Sequence, residues 1–427
     1  MPGSRTRRSL LAATVTTLLA ALAVPAAEAV PRPAVAGSLV LVGGGLKADN
    51  KAVYGEIIKR AGDSSARIGV LTAASVPASR DPHADDPDRC SNSACNGAYY
   101  ASLFKQHGAA DAQWIPIDLD HIANADSDAV VAQVNSMTGF FFGGGDQYRY
   151  ITTLLHGDAH TDSKVLAAIR AKLAAGAVIA GSSAGAQIMG GRDMVTGGES
   201  YQALRDGSAP GYFDDPTRLG HLPAGGFGFL HSGLLDTHTG AYGREGRALR
   251  LASDTGHTRV YGLEENTALV IDRPGTPAET ATVKGTQGLT VLDLRRARTR
   301  TTTAGWSLSG ASYTYLTDGD RYFPQAWQAL PAPGKHLLTA TTGTPVPANT
   351  DVFHSPDNIG GRPYSLLGTA QALVATRTQR TATAHTFETG PRFTVTLTRT
   401  TQRRAWVGDS PSGPATIIGL TIAIAPR

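Results

Sequence analysis

Apolar, strand-like runs alternate with amphipathic segments from Ser38 onward, and this alternation restricts the fold more than any other feature. The runs SLVLVGGG, ARIGVLTAAS, AQWIPID, TGFFFGGGDQ and AVIAGSSAG each contain a strand and are separated by helix-like stretches such as KAVYGEIIKRA. Strands and helices in this order indicate a parallel sheet that is covered on both faces. The sequence therefore predicts an α/β domain with a mostly parallel sheet over residues 30–325.

Small residues follow four of these strands, where a parallel sheet collects its functional loops. The four loops are GGG at 43–45, TAAS at 72–75, GGGDQ at 143–147 and GSSAG at 181–185. Beyond about residue 272 the helix-like segments give way to strand patterns. After a proline-rich linker, RFTVTLTRT and GLTIAIAP alternate apolar with small or polar residues, which is typical of half-buried strands. We predict a small all-β, sandwich-like domain over residues 335–427.

The N-terminus has the organisation of an export signal. Arginines precede a short apolar stretch, and Ala27 and Ala29 flank Glu28 in the pattern that signal peptidase accepts. We expect cleavage after Ala29, so that residues 1–29 are a signal peptide and the mature protein is extracellular. TRRSLL also fits a twin-arginine signal, so both export routes stay open. No apolar stretch is long enough to span a membrane comfortably.

Cys90 and Cys95 lie in one hydrophilic loop, CSNSAC, and an oxidising compartment would let them form a disulfide. Closing so short a loop contributes about 2–3 kcal/mol at best on the chain-entropy model. The loop offers too few ligands for a metal. The net charge of +4 is mild, and no basic run carries interleaved aromatic residues, so nucleic-acid binding is not expected.

The loop at 181–185 fits G-x-S-x-G with Ser183 at its centre. A strand-to-helix turn of this kind strains the backbone and exposes the central hydroxyl, which suits a nucleophile. The Ala184 N–H at the start of the next helix is a candidate oxyanion donor, and the backbone at Gly145 is a second. Both glycine-rich loops also occur as plain tight turns, so neither motif is specific alone.

A serine nucleophile needs a base and an orienting acid. His238 follows an apolar run, and Glu264 and Glu265 lie between two such runs. The chain has 12 histidines, and spacing alone leaves His231 and His257 open as alternatives to His238. It also does not choose between the two glutamates.

The blocks GGGDQ, GSSAGA, DTH followed by arginines, and GLEENTALVI occur together in this chain, which resembles the cyanophycinase and dipeptidase E family (peptidase family S51) over roughly residues 37–320. The resemblance implies a serine hydrolase with a glutamine-amidotransferase-like (flavodoxin-like) α/β fold. It implies Ser183 as nucleophile, His238 as base and Glu265 as the acid that orients His238. The residues it implies for substrate binding are Gln147, Asp236, Thr237, Arg244 and Arg247.

Four positions depart from the family pattern. Thr237 replaces a glutamine, Thr239 a phenylalanine, Tyr242 an arginine and Glu264 an aspartate. None of these departures affects the implied triad, but the first three lie in the substrate-binding stretch.

The function implied is that of a secreted serine-type exopeptidase. It would hydrolyse cyanophycin (multi-L-arginyl-poly-L-aspartate) to β-aspartyl-arginine dipeptides through an acyl-enzyme, without a cofactor or a metal. The partner expected is thus a peptide or polyaspartate-type polymer, and homodimer formation stays open. One alternative is a related peptidase acting on other aspartyl or isoaspartyl peptides. Another is a non-catalytic exported protein that binds a polymer.

Overall fold

The computed structural model of the protein describes residues 37–408 and 413–427, and the predicted signal peptide at 1–29 lies outside them. The helices are α1 (Lys51–Arg60), α2 (Ser93–Gln106), α3 (Asp128–Asn135), α4 (Gln147–Leu154), α5 (Lys164–Ala174), α6 (Ala184–Gln187), α7 (Ser200–Asp206), α8 (Glu245–Thr255) and α9 (Ser365–Ala375). The strands up to the middle of the chain are β1 (Ser38–Val42), β2 (Arg67–Leu71), β3 (Asp111–Trp114), β4 (Gly139–Phe142), β5 (Leu155–His156), β6 (Thr161–Asp162), β7 (Val178–Ser182), β8 (Met194–Gly197), β9 (Ala209–Pro210), β10 (Gly220–Leu222) and β11 (Leu234–Thr237). Those that follow are β12 (Arg259–Leu263), β13 (Thr267–Asp272), β14 (Thr280–Gly285), β15 (Gly288–Asp293), β16 (Arg298–Thr302), β17 (Gly305–Thr317), β18 (Arg321–Phe323), β19 (Gln328–Leu330), β20 (His336–Leu337), β21 (Thr381–His385), β22 (Phe393–Val407) and β23 (Thr416–Pro426).

The predicted parallel sheet is confirmed. Among the described residues, one nine-stranded sheet has the order β19-β18-β14-β13-β1-β7-β4-β2-β3. Its run from β1 to β3 is parallel and contains the predicted strands. The other four strands extend the sheet antiparallel beyond β1. The carboxyl ends of β1, β7 and β4 therefore lie side by side, which brings their glycine-rich loops together.

Successive apolar side chains of β1 point to opposite faces of this sheet, and helices cover both faces. Leu39 and Leu41 pack into one apolar cluster with side chains of α3, α4 and α5. Val40 and Val42 pack into a second cluster with side chains of α1 and α2 on the opposite face. Each fully buried aliphatic side chain contributes roughly 1.5–3 kcal/mol relative to its exposed state. Both faces therefore hold the parallel strands in place.

A second sheet, with the order β11-β12-β15-β17-β23-β22-β20, packs with α7, α8 and α9 around a third apolar cluster. The sequence predicted a separate all-β domain for residues 335–427, but their long strands continue this sheet through the pairing of β17 with β23. They also contribute α9, whose buried residues join the same cluster. The described residues, 37–408 and 413–427, belong to one compact unit. The strand-rich region is present, and it shares a sheet with β11 and β12.

The predicted disulfide is confirmed, because Cys90 is bonded to Cys95 at the start of α2. Asn92 caps that helix by accepting a hydrogen bond from the Cys95 N–H. None of the helices among the described residues combines the length and apolarity that a membrane crossing needs.

Candidate active site

The turn between β7 and α6 holds Ser183 in an unusual backbone conformation, with φ 55° and ψ −119°. A Cβ on Gly181 would overlap the Gly185 carbonyl, and one on Gly185 would overlap the Phe142 carbonyl, so both positions require glycine. The Ser183 N–H donates to the Val42 carbonyl at 3.0 Å, which ties the turn to β1. Such strain costs of order 1–3 kcal/mol and persists only where the surrounding structure enforces it.

Three predicted residues form one hydrogen-bonded chain. Ser183 Oγ lies 2.7 Å from His238 Nε2, and His238 Nδ1 lies 2.7 Å from Glu265 Oε1. With its proton on Nδ1, the imidazole donates to the carboxylate and accepts from the serine hydroxyl. The competing His257 instead bonds Asp193 at 2.9 Å.

The environment of His238 favours the neutral imidazole. Its side chain is 13% exposed. Burial lowers its pKa, the hydrogen bond to Glu265 opposes this, and the Arg244 charge adds to the lowering. A neutral ring is the form that accepts a proton from serine, so the local electrostatics suit a general base.

The two adjacent glutamates have opposite surroundings. Glu265 reaches His238, whereas Glu264 is 1% exposed and accepts a hydrogen bond from the Gly240 N–H at 2.8 Å. Burial, and then the nearby Glu245 carboxyl group, raise the pKa of Glu264 well above its ordinary value. Burial likewise raises the pKa of Glu245 to about 8. These surroundings favour the neutral form of Glu264, which lies beneath the loop that follows His238.

The glycine loop after β1, one of the four loops predicted at this edge of the sheet, is part of the site. A Cβ on Gly44 would overlap His238 Cε1 and Nε2, and one on Gly45 would lie 3.1 Å from Glu265 Cδ. The Gly43 and Gly44 carbonyls accept hydrogen bonds from the N–H groups of His238 and Asn266. Gly44 and Gly45 were not among the predicted site residues, and their position at the end of β1, beside β7, is the signal that could have identified them.

The loop after β4 also adjoins the nucleophile, but through a different glycine from the one expected. A Cβ on Gly144 would lie 3.3 Å from Ser183 Cβ, whereas Gly145, with φ 136°, packs against the Ala74 carbonyl. Ala184 directly follows Ser183 as the first residue of α6, and the assignment of its N–H as an oxyanion donor stays a prediction. Gln147 begins α4, and its side-chain amide donates to the Val195 carbonyl at 2.8 Å, so this group braces β8.

Three residues expected to bind substrate are buried beneath the site. Arg247 donates to both carboxylate oxygens of Asp236, at 2.8 and 2.6 Å, and to the Gly198 carbonyl at 2.7 Å. Asp236 is 0% exposed, Arg247 4% and Thr237 3%. This geometry revises their predicted role, because a guanidinium that is almost completely buried and held by three hydrogen bonds within the protein is not accessible to a ligand. They hold the end of β11 against α8.

Arg244 and Tyr242 lie nearer the triad. The Tyr242 ring stacks on the His238 imidazole with centres 4.8 Å apart and planes inclined by 4°, and Tyr242 is 47% exposed. The Arg244 guanidinium carbon lies 4.8 Å from the centre of the Tyr242 ring, and its Nη1 donates to the Thr237 carbonyl. Burial, and then the Arg247 charge, lower the pKa of Arg244 to about 10, so it stays cationic at neutral pH. Imidazole, phenol and guanidinium thus form a stack along one wall of the site.

Comparison with known proteins gives matches across this region. Residues 94–276, which include the Ser183–His238–Glu265 chain, match the model of peptidase family S51. Cyanophycinase from Nostoc sp. is 29% identical over 248 residues, which cover 57% of this chain and 70% of that protein. Cyanophycinase from Synechococcus elongatus is 26% identical over 261 residues, covering 61% and 69%. The solved structure of a peptidase from an acI-B1 Actinobacterium aligns with a TM-score of 0.43 and 19% identity, covering 68% of this chain and 98% of that one.

Proposed function

Because the chain belongs to peptidase family S51 and is a serine peptidase, we propose that it hydrolyses cyanophycin with Ser183, His238 and Glu265 as its catalytic triad. The observation that carries the proposal is the continuous hydrogen-bonded chain from Ser183 Oγ to the Glu265 carboxylate. Nucleophile, base and orienting acid are the three roles that acyl transfer by a serine requires. Family membership also argues against the non-catalytic alternative.

The proposed reaction follows from this geometry. His238 Nε2 accepts the hydroxyl proton as Ser183 Oγ attacks the carbonyl of an aspartyl-linked peptide bond, and Glu265 stabilises the imidazolium that forms. We assign the backbone N–H groups of Ala184 and Gly145 as the donors to the developing oxyanion, and each such donor contributes about 3–4 kcal/mol in related chemistry. His238 then protonates the leaving amine, and water hydrolyses the acyl-enzyme.

Charge supports a carboxylate-rich substrate. Arg244 is a partly buried cation beside the stack on His238, and a guanidinium in such a place binds carboxylates strongly. Cyanophycin is a polyaspartate whose side chains carry arginine, and the products would be β-aspartyl-arginine dipeptides. Relatives named cyanophycinase match 57% and 61% of this chain.

Tyr242 favours a second candidate substrate class. An exposed phenol stands where the family pattern has an arginine, so this wall of the site has one cation fewer. Shorter aspartyl or isoaspartyl peptides, which carry fewer carboxylates, fit such a wall. The export expected from residues 1–29 remains a proposal, and the Cys90–Cys95 bond supports it, because disulfides persist in oxidising compartments.

The test uses the chain from residue 30, with Ser183→Ala as the inactive variant and Ser182→Ala as the matched control. Each protein is incubated with insoluble cyanophycin, and the supernatant is analysed by mass spectrometry. We expect β-aspartyl-arginine from the wild type and from Ser182→Ala, and none from Ser183→Ala. If a fluorophosphonate labels the wild type but no dipeptide is released, the serine hydrolase is supported, cyanophycin is excluded as the substrate, and isoaspartyl peptides are tested next. Wild-type labelling no stronger than that of Ser183→Ala would refute the triad.

A further inference from the structure

The loop that carries His238 is held by residues from beyond the S51-matched segment. The Tyr364 N–H donates to the Gly240 carbonyl at 2.6 Å, two residues after His238. A Cβ on Gly240 would lie 2.6 Å from Cδ1 of the Tyr364 ring, so the ring covers this glycine directly. The strand-rich C-terminal region therefore reaches the catalytic machinery.

A second contact lies further along the same loop. A Cβ on Gly243, which has φ 61°, would overlap the Phe353 carbonyl, and one on Gly246 would lie 3.1 Å from the Phe353 ring. Phe353 is 4% exposed, and the preceding Val352 N–H donates to the His385 carbonyl, which anchors the segment to β21. Because Gly240, Gly243 and Gly246 have no side chain, Tyr364 and Phe353 of the C-terminal region can pack directly against the loop that follows His238.

Tyr364 itself is rigidly held. It adopts φ 58°, and its carbonyl accepts the Gly368 N–H at 2.8 Å in the first turn of α9. Ser365 Oγ donates to the Asp351 carbonyl at 2.7 Å, which fixes the start of that helix to the segment before it. Burial, and then the carboxyl groups of Glu264 and Glu265, raise the pKa of Tyr364, so the phenol near these acids stays neutral.

We propose that Tyr364 is a positioning residue for His238, which it holds against Ser183 by covering Gly240 and shielding the His238 loop from water. The proposal rests on the proposed triad. It gives residues 335–427 a role in the chemistry although their sequence carries no catalytic motif.

Loss of the ring should loosen the histidine loop. Because displacement of a catalytic group by about 1 Å can slow a reaction by 10²-fold, we expect Tyr364→Ala to lower kcat by roughly 10- to 100-fold with little change in KM. Water entering the loop would weaken the burial that depresses the pKa of His238. The rise of rate with pH should therefore move to higher pH. Tyr364→Phe, which keeps the ring, should behave like the wild type.

The experiment measures the rate of fluorophosphonate labelling against pH, which requires Ser183 and His238 but not the natural substrate. Wild type, Tyr364→Ala and Tyr364→Phe are compared with Ile359→Ala, a fully exposed position in the same segment. Amide hydrogen exchange of residues 238–247 is followed in each protein, and Tyr364→Leu replaces the alanine variant if that one is unfolded. Slow labelling, a shifted pH profile and faster exchange in the Ala or Leu variant alone support the proposal.

Two outcomes overturn different statements. Labelling of folded Tyr364→Ala or Tyr364→Leu at the wild-type rate and with the wild-type pH profile overturns the positioning role, whatever the exchange shows. A wild type that labels no faster than Ser183→Ala refutes the proposed triad and, with it, the positioning role.

Discussion

Gly44 offers the sharpest test of how the histidine is held, because it lies against the imidazole and takes no part in proton transfer. It follows β1 with φ 107°, a conformation that residues with a side chain rarely adopt. A Cβ at this position would overlap Cε1 and Nε2 of His238 and lie 2.8 Å from Nδ1. Gly44→Ala is therefore predicted to push the ring away from Ser183.

The size of the effect follows from the contact distances. Carbon contacts are favourable from about 3.5 Å, so the ring has to withdraw by roughly 1 Å or more. This stretches the hydrogen bond from Ser183 Oγ to His238 Nε2, now 2.7 Å, beyond bonding range. A displacement of that size costs about 10²-fold in rate. The strained backbone lowers the free energy of unfolding by roughly 1–3 kcal/mol.

The assay is kcat/KM for release of soluble dipeptide, with the fluorophosphonate labelling rate as a substrate-independent measure. The matched control is Gly55→Ala in α1, where an added Cβ meets no atom within 4 Å. That variant should keep full activity and gain about 0.5–1 kcal/mol of stability, because alanine favours the helix. A Gly44→Ala enzyme with wild-type kcat/KM would refute the inference that Gly44 sets the position of His238.

Further predictions concern proton transfer, stability and specificity. Because burial lowers the pKa of His238 and only the neutral ring accepts the serine proton, kcat/KM should rise with pH through a midpoint below the ordinary value of 6.5, and a midpoint above it contradicts the assignment. Asp236→Asn leaves the buried Arg247 without its ion pair, so urea unfolding should show a loss of about 3–5 kcal/mol. The exposed control Asp206→Asn should lose less than about 1 kcal/mol, and equal losses would contradict the argument. Tyr242→Arg adds a cation to the substrate wall and should lower KM for cyanophycin by roughly tenfold, the effect of one charge-assisted hydrogen bond, whereas an unchanged KM would show that this wall does not contact the polymer.

The parallel half of the fold could be predicted because each of its strands is recognisable from a short segment of the sequence. Each buried strand is a short apolar run between recognisable helices, and three of them, β1, β4 and β7, lead into glycine-containing loops that mark a functional edge. The Ser183 turn belongs to the same local pattern. The partners of Ser183 do not, since His238 lies 55 residues away in sequence and directly follows a strand of the other sheet. Only the resemblance to a family selected it and Glu265.

The remaining differences between the predictions and the structure have a common physical cause. The patterns of charged residues and of strands in a sequence do not reveal which distant segments pair. Asp236 and Arg247 look like surface charges next to a candidate site, and only their mutual contact makes burial tolerable. The pairing of β17 with β23 joins segments about one hundred residues apart, so the alternation in β23 predicted a strand but not its neighbour. The sequence therefore predicted a separate domain for residues 335–427, although their long strands belong to the same sheet as β17.

The division of the proposed triad between two sheets has a consequence for when the enzyme becomes active. Ser183 follows a strand of the first sheet and His238 a strand of the second, so neither sheet folded alone contains a nucleophile with its base. A nascent or partly folded chain would carry an ordinary serine, unable to attack other polypeptides that it meets before folding is complete. In a refolding experiment, recovery of activity should accordingly lag behind the return of secondary structure and coincide with docking of the two sheets.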